Sequence, residues 1–282
     1  MSQGKWKQSA PRIILAFIAT LAIVSTVLLI TLKATIFNQE YMITQSKTSG
    51  YVAEITKDIN DYIQDNARAS NIPPEVVKDS VKEDLVQQNV SSFIRAIYTD
   101  VPYRLVGTDA IRNNLNQSIE TYAKEKKLDI TDNETKTNIQ HFVDESVTVF
   151  ERYVAIPTFR TFAKQLISYN KQFVMIIILS GIFSLLLLIG LVLVSGRYLH
   201  RRLRYLAYTF AGSGLMLIVL PTILYKSNQI DHLAIHSKAL YSFITIYLKN
   251  ALLLVIHLGI GCVVVGVLAM IMSEILRRRV SR

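Results

Sequence analysis

Cysteine is nearly absent from this chain. Cys262 is its only thiol in 282 residues, so no disulfide can form within it. Charge is scarce as well. Only 18% of residues are Asp, Glu, Lys or Arg, against about a quarter in an ordinary soluble domain. Those four residue types are missing entirely from Ile13–Leu32, Phe173–Val194, Leu206–Leu224 and Ala251–Met272. Each of these apolar runs has roughly the 20 residues a helix needs to cross the hydrocarbon of a bilayer. Their presence excludes a plain soluble enzyme, and their lack of acids leaves no residues for a carboxylate proton relay. The chain also lacks the G-x-x-x-x-G-K-[ST] and H-E-x-x-H motifs, the phosphate cradle of an ATPase and the ligand pair of a zinc protease.

The net charge of +10 suggests nucleic acid until it is located. Residues 1–12 carry Lys5, Lys7 and Arg12; residues 195–205 carry Arg197, Arg201, Arg202 and Arg204; residues 273–282 carry Arg277, Arg278, Arg279 and Arg282 beside one acid, Glu274. These three segments hold the whole surplus, and the rest of the chain is neutral. That is the positive-inside pattern, which places all three in the cytoplasm. No nucleic-acid partner is needed to explain the high isoelectric point.

The fold class that follows is all-α: a four-helix transmembrane protein with a helical-bundle extracytoplasmic domain between the first and second spans. Residues 1–12 form a cytoplasmic N-terminus and 13–32 the first span. Residues 33–172 form the extracytoplasmic domain, followed by a span at 173–194, a cytoplasmic loop at 195–205 and a span at 206–224. An extracytoplasmic loop at 225–250, a fourth span at 251–272 and a cytoplasmic C-terminus at 273–282 complete the chain. The first run is too long for a signal-peptide core, and Leu32-Lys33-Ala34 is a poor cleavage site, so it reads as an uncleaved anchor. Trp6, Phe37, Tyr169, Phe173, Tyr198, Tyr205, Tyr225 and Tyr247 lie near the proposed ends, where amphipathic rings favour the headgroup layer. An extracytoplasmic domain without cysteine points to a bacterial plasma membrane, of Gram-positive type, because animal ectodomains of this size are usually stapled. Three N-x-[ST] triplets, at Asn89, Asn116 and Asn133, fall in this asparagine-rich region and carry no weight there.

Residues 33–172 show helical periodicity throughout and no sustained alternation of period two. Val52, Ile55, Ile59 and Tyr62 form one stripe. Pro73 and Pro74 open a helix that continues through Val77, Val81, Leu85, Val90, Phe93, Ile94 and Ile97. Asp-Val-Pro and Val-Gly elements break the pattern around Thr99–Gly107. Thr108 is expected to cap a helix bearing Ile111, Leu115, Ile119 and Tyr122. Thr131 and Glu134 match a capping box opening a helix with Ile139, Phe142, Val143, Val147, Phe150 and Val154 on one face. After Pro157, the pattern Phe159, Phe162, Ala163, Leu166 and Ile167 leads into the second span. Residues 158–172 would add a rod of roughly 22 Å to that span, and the stretch after the first span has the same character. Residues 45–157 are expected to form a soluble helical domain by themselves.

Sites for chemistry are few: no residue stands out as catalytic, cofactor-binding or metal-binding, and no cofactor is expected. Ser168-Tyr169-Asn170-Lys171 matches the S-x-x-K of penicillin-recognising enzymes, but Ser2–Lys5 matches it too and no S-D-N or K-T-G accompanies either. His232 and His236 stand four apart, which on a helix would put both imidazoles on one face; no third or fourth ligand is evident. His257 is the only histidine within an apolar run. It is read as a neutral hydrogen-bond partner between helices.

Small residues at Ala207 and Ala211, Ser180 and Ser184, and Gly259, Gly261 and Gly266 permit close helix approach, either among the chain's own spans or with other membrane or envelope proteins. A homo-oligomer is compatible with them. No cytoplasmic segment exceeds twelve residues, so an inward signal would need another protein. The expected function is therefore non-enzymatic: a multi-pass plasma-membrane protein whose outer helical domain binds, senses or scaffolds envelope components. In layout alone (one span, a large outer domain, then three spans) the chain is similar to permeases of the cell-division and macrolide-export type. That likeness implies the alternative, a permease-like subunit working with a separate ATPase.

Overall fold

The computed structural model describes residues 3–99, 101–155, 163, 165, 167–227 and 229–280, with 3–9 and 280 as backbone only. Nine α-helices and no strand occur among the described residues. They divide into two units. An apolar unit comprises residues 1–38, 169–234 and 247–282, and an amphipathic unit comprises 39–168 and 235–246.

The apolar unit contains α1 (Gln3–Thr35), α7 (Asn170–Val194), α8 (Leu199–Lys226) and most of α9 (Lys238–Val280). All four are long and apolar enough to cross a membrane, and a helix satisfies its backbone internally, as hydrocarbon requires. The four expected runs lie inside these helices, but the helices extend further. The segment read as a cytoplasmic loop at 195–205 is mostly the first turns of α8. Only Ser195–Tyr198 link α7 to α8, through Gly196 in the left-handed region (φ 95°). Likewise, of the stretch read as a loop at 225–250, residues from Lys238 onward already belong to α9.

The interior of this unit is built from small and hydroxyl-bearing residues. Ala16, Ala19, Ala22 and Ile23 form the buried stripe of α1, which packs against both α7 and α8. One turn further, Thr26 Oγ1 lies 2.8 Å from Ser180 Oγ and 2.9 Å from Ser184 Oγ of α7. Between α8 and α9 the backbones approach closely. A Cβ at Gly214 would stand 2.6 Å from the Gly259 carbonyl oxygen, and one at Gly266 would stand 2.7 Å from the Ala211 amide nitrogen. Ser273 Oγ of α9 donates to the His200 carbonyl at 2.5 Å. Leu191 and Leu217 are buried among them, but most large side chains point away from this interior: Leu193 is 70% exposed and Leu220 62%.

The amphipathic unit holds α2 (Gln39–Thr48), α3 (Tyr51–Ala69), a short 3-10 turn (Pro74–Val77), α4 (Glu83–Thr99), α5 (Thr108–Lys126) and α6 (Asn133–Val154). Its core is formed by Val52, Ile55, Ile59 and Ile63 of α3, Val86, Val90 and Ile94 of α4, Ile111, Leu115 and Ile119 of α5, and Phe142, Val143 and Phe150 of α6. Ala239 and Phe243, from the start of α9, pack into the same core. The domain expected at residues 45–157 is therefore short of its own packing. Lys238 Nζ lies 2.7 Å from Glu54, and Ser242 Oγ donates to the Ser49 carbonyl at 2.7 Å.

Several local expectations shift. The α3 stripe runs through Ile63, which is fully buried, rather than Tyr62, which is exposed; a spacing of four keeps the face better than three here. The helix expected from Pro73 to Ile97 is two elements, because Lys78 is extended and Asp79 has φ 53°. Thr108 begins α5 but makes no cap, since Gly107 at φ 83° supplies the turn. The cap of α6 is Asp132, whose carboxylate accepts from the Thr135 amide at 2.7 Å, whereas Thr131 is held by Asp129. The rod expected beyond the first span ends at Thr35. Thr31 and Thr35 bond back to carbonyls one turn earlier at 3.0 and 2.8 Å, as Thr20 and Thr26 do within the unbroken helix, and a turn at Ile36 and Phe37 leads into α2. Of the rod expected over 158–172, residues 158–162, 164 and 166 lie outside the described residues, as do Ser2, Asp100 and Pro157, and a turn at Tyr169 precedes the start of α7 at Asn170. Ala163 and Ile167 are described and pack with Phe93 and Ile97 in a small second cluster.

Candidate functional site

Two buried asparagines organise the irregular parts of the amphipathic unit. Asn60 donates through Nδ2 to the Val81 carbonyl at 2.9 Å and accepts the Val81 amide on Oδ1 at 3.0 Å. Asn89, wholly buried, does the same for Val106, both bonds at 2.9 Å, and its Oδ1 also accepts from the Tyr103 hydroxyl at 3.2 Å. Each side chain replaces the partner that a neighbouring strand would offer, so a non-helical segment is held against a helix without unpaired buried groups. The burial of Asn89 also removes its triplet from any glycosylation argument.

Asn89 thereby fixes Tyr103, and Tyr103 forms part of a cavity of about 530 Å³. The last turns of α4 supply Arg95 and Thr99, the following segment Val101, Tyr103 and Arg104, and the start of α2 Gln39. The Tyr103 ring stacks edge-on against Phe93, centroids 5.4 Å apart. Burial raises the Tyr103 phenol well above its usual pKa, with Glu151 adding to the effect, so it stays a neutral hydroxyl. Arg95 has only a loose exposed contact with Glu40, at 3.7 Å, worth little in water. The cavity lining therefore combines apolar and aromatic side chains with two exposed guanidinium groups. That arrangement suits binding of a partly apolar segment carrying negative charge or carbonyl groups.

The residues singled out from the sequence lie elsewhere and are not brought together. Ser168 is exposed, and its hydroxyl donates to the Gln165 carbonyl at 2.7 Å. His232 and His236 are exposed in the non-helical stretch before α9, so the helical argument for a shared face fails. Asp231, beside them, pairs with Lys249 at 2.7 Å. His257 lies on the exposed side of α9. It makes no hydrogen bond among the described residues, contrary to its expected interhelical role; the small-residue seam of α9 passes through Gly259 and Gly266, away from its ring. Of the small residues, Ser180, Ser184, Ala207, Ala211, Gly259 and Gly266 are taken up by packing within the apolar unit, while Gly261 faces open space. No group of three or more metal-ligating side chains occurs among the described residues.

Arg95, Tyr103 and Arg104 had no signature in the sequence. Their one legible trace was the break at Thr99–Gly107, which marked where the backbone leaves α4. No protein-family model, curated protein or solved structure matches the chain.

Proposed function

We propose that the chain is a bacterial plasma-membrane protein with both termini in the cytoplasm. Its amphipathic unit lies outside and acts by binding envelope components, without catalysis. The observation that carries this reading is the cavity at Arg95, Tyr103 and Arg104, set in a unit with its own core and with Tyr103 hydrogen-bonded to the buried Asn89. The charge partition along the sequence supports the orientation. α9 contributes residues to both units, which supports contact as the mode of action, since one helix belongs to the binding unit and to the membrane unit.

The orientation is tested by reporter fusions. One placed after Arg282 or within Arg197–Arg204 should be active only in the cytoplasm, and one near Asp132 only outside. An outward-facing Arg282 fusion would sink the four-span topology. For the binding role, a photo-crosslinking residue at Thr99 should give a discrete adduct in cells. Arg95→Glu with Arg104→Glu should remove the adduct while the protein still reaches the membrane. Persistence of the adduct in that variant would end the proposal for this cavity. Stoichiometric co-purification with an ATPase would replace the binding role by the permease-type alternative.

A further inference from the structure

The apolar unit contains a second, larger cavity, of about 850 Å³, between α1 and the first turns of α8. Three arginines line it: Arg12, Arg201 and Arg204. No acidic residue lines it among the described residues. The one acid in the basic flanking segments, Glu274, is engaged by Arg277 at 2.7 Å and Arg278 at 3.3 Å. The three cations are thus uncompensated within a single concavity.

Their hydrogen-bonding states sharpen the point. Arg12 spends only its Nε, on the Val194 carbonyl at 3.0 Å, which leaves its terminal nitrogens to bind a ligand. Arg201 lies over the Tyr198 ring, 5.4 Å from its centroid, a contact that orients the guanidinium and consumes none of its donors. Arg204 is the most telling, because its Nε is buried and has no hydrogen-bond partner. A buried donor on a permanently charged group is costly to leave unmade, and such groups call for an acceptor. Arg201, Arg204, Tyr205 and Tyr208 follow at spacings that bring them to one side of α8. The facing wall on α1 is apolar, with Ile13, Ala16 and Phe17.

We propose that this cavity binds the phosphoester headgroup of an anionic phospholipid. The guanidinium groups of Arg12, Arg201 and Arg204 hold the phosphate, and an acyl chain lies along Ile13, Ala16 and Phe17. Arginine matches phosphate oxygens in pairs of parallel hydrogen bonds, and basic pockets between spans at the membrane boundary are suited to lipid headgroups. Phosphate alone would satisfy the arginines but leave the apolar wall unused, and the cavity is far larger than that ion. The site is independent of what the amphipathic unit binds.

The test uses the full chain purified in a neutral detergent at constant ionic strength. Thermal unfolding is followed by circular dichroism during titration with phosphatidylglycerol, phosphatidylcholine or inorganic phosphate. Phosphatidylglycerol should raise the midpoint in a saturable manner, with at least about tenfold tighter binding than phosphatidylcholine, as three basic groups allow. Arg204→Gln and Arg201→Gln should each weaken it about fivefold, while the Arg277→Gln, Arg278→Gln double variant should match the parent. Equal protection by inorganic phosphate would overturn the lipid assignment in favour of a free anion. Equal binding of phosphatidylcholine, or an equal loss in the Arg277, Arg278 control, would overturn the site itself. Should Arg204→Gln not fold, Arg12→Gln combined with Arg201→Gln carries the same test, and unchanged affinity in that pair overturns the proposal.

Discussion

The two units of this protein bury different mixtures of residue. In the amphipathic unit the fully buried side chains are large and apolar, among them Phe142, Phe150, Ile59, Ile63 and Leu115. In the apolar unit Leu191 and Leu217 are buried too, but most buried positions are small or hydroxyl-bearing, among them Ala19, Ala207, Thr209, Ser213, Ser195 and Ser273, while Phe17, Leu186, Leu193, Leu220 and Leu268 are exposed. Water explains the first arrangement, since removing large apolar surface from it is the main stabilising term. It cannot explain the second. Exposed apolar surface on that scale belongs against hydrocarbon, where leucine gains nothing by turning inward and close packing with hydroxyl hydrogen bonds holds helices together. The difference teaches that burial alone does not identify a core; the solvent on the other side decides which residues should be in it.

Truncating a large side chain in each unit is the most forceful way to break this contrast. Phe142→Ala or Phe150→Ala should cost about 3–5 kcal/mol, read by thermal unfolding of the purified full chain. Leu193→Ala and Leu220→Ala should stay within about 0.5 kcal/mol of the parent. Equal costs on the two sides would mean that the exposed leucines are covered by protein.

Next in size is Asn89→Leu. It keeps the volume but strands the Val106 amide and carbonyl and the Tyr103 hydroxyl, with an expected cost of about 3 kcal/mol. Crosslinking from Thr99 should fail with it, because Tyr103 loses its anchor. A smaller effect tests the glycine seam. Gly266→Val should cost about 1–3 kcal/mol by forcing the α8 backbone away, whereas Gly261→Val should be tolerated because open space lies above it.

Thr26→Val removes the hydroxyl shared with Ser180 and Ser184. Hydrogen bonds between membrane helices average about 0.6 kcal/mol, so the loss should be near 1 kcal/mol, well below that for Asn89. The smallest effect is a pH dependence at the start of α6. Asp132 is held below its ordinary pKa by hydrogen bonds from Thr135, and Asp129 by those from Thr131. A depressed carboxylate contributes stability above its unfolded pKa and loses it as pH falls through the folded value. Acidification through the carboxylate range should therefore loosen the start of α6 first, and Asp132→Ala should remove much of that dependence. Hydrogen exchange at Thr135 reads both outcomes.

Much of the architecture was legible in the residues. The four apolar runs and the stripes of α4, α5 and α6 needed only periodicity and length, because each helix satisfies its own backbone. Caps were harder, since Thr131 and Asp132 are adjacent oxygen-bearing residues and only the backbone decides which one accepts the helical amide. Helix ends were missed wherever polar residues continued a helix beyond its apolar run, as at Leu199 and Lys238. The candidate site was hardly legible at all. Arg95 and Arg104 lie nine positions apart and on different kinds of backbone, and nothing in their spacing foretells that Asn89 brings the second segment back against α4.

What the sequence determined by itself is the class of solvent around each part of the chain. Hydrophobic period, run length and charge placement are local properties, and a helix needs no distant partner to close its hydrogen bonds. The tertiary structure alone decided which small residues meet, that residues from Lys238 onward complete the core around Phe142, and that Arg12 converges with Arg201 and Arg204. Those outcomes depend on contacts between segments far apart along the chain, where side-chain shape and unpaired donors select among packings that the local pattern leaves equivalent.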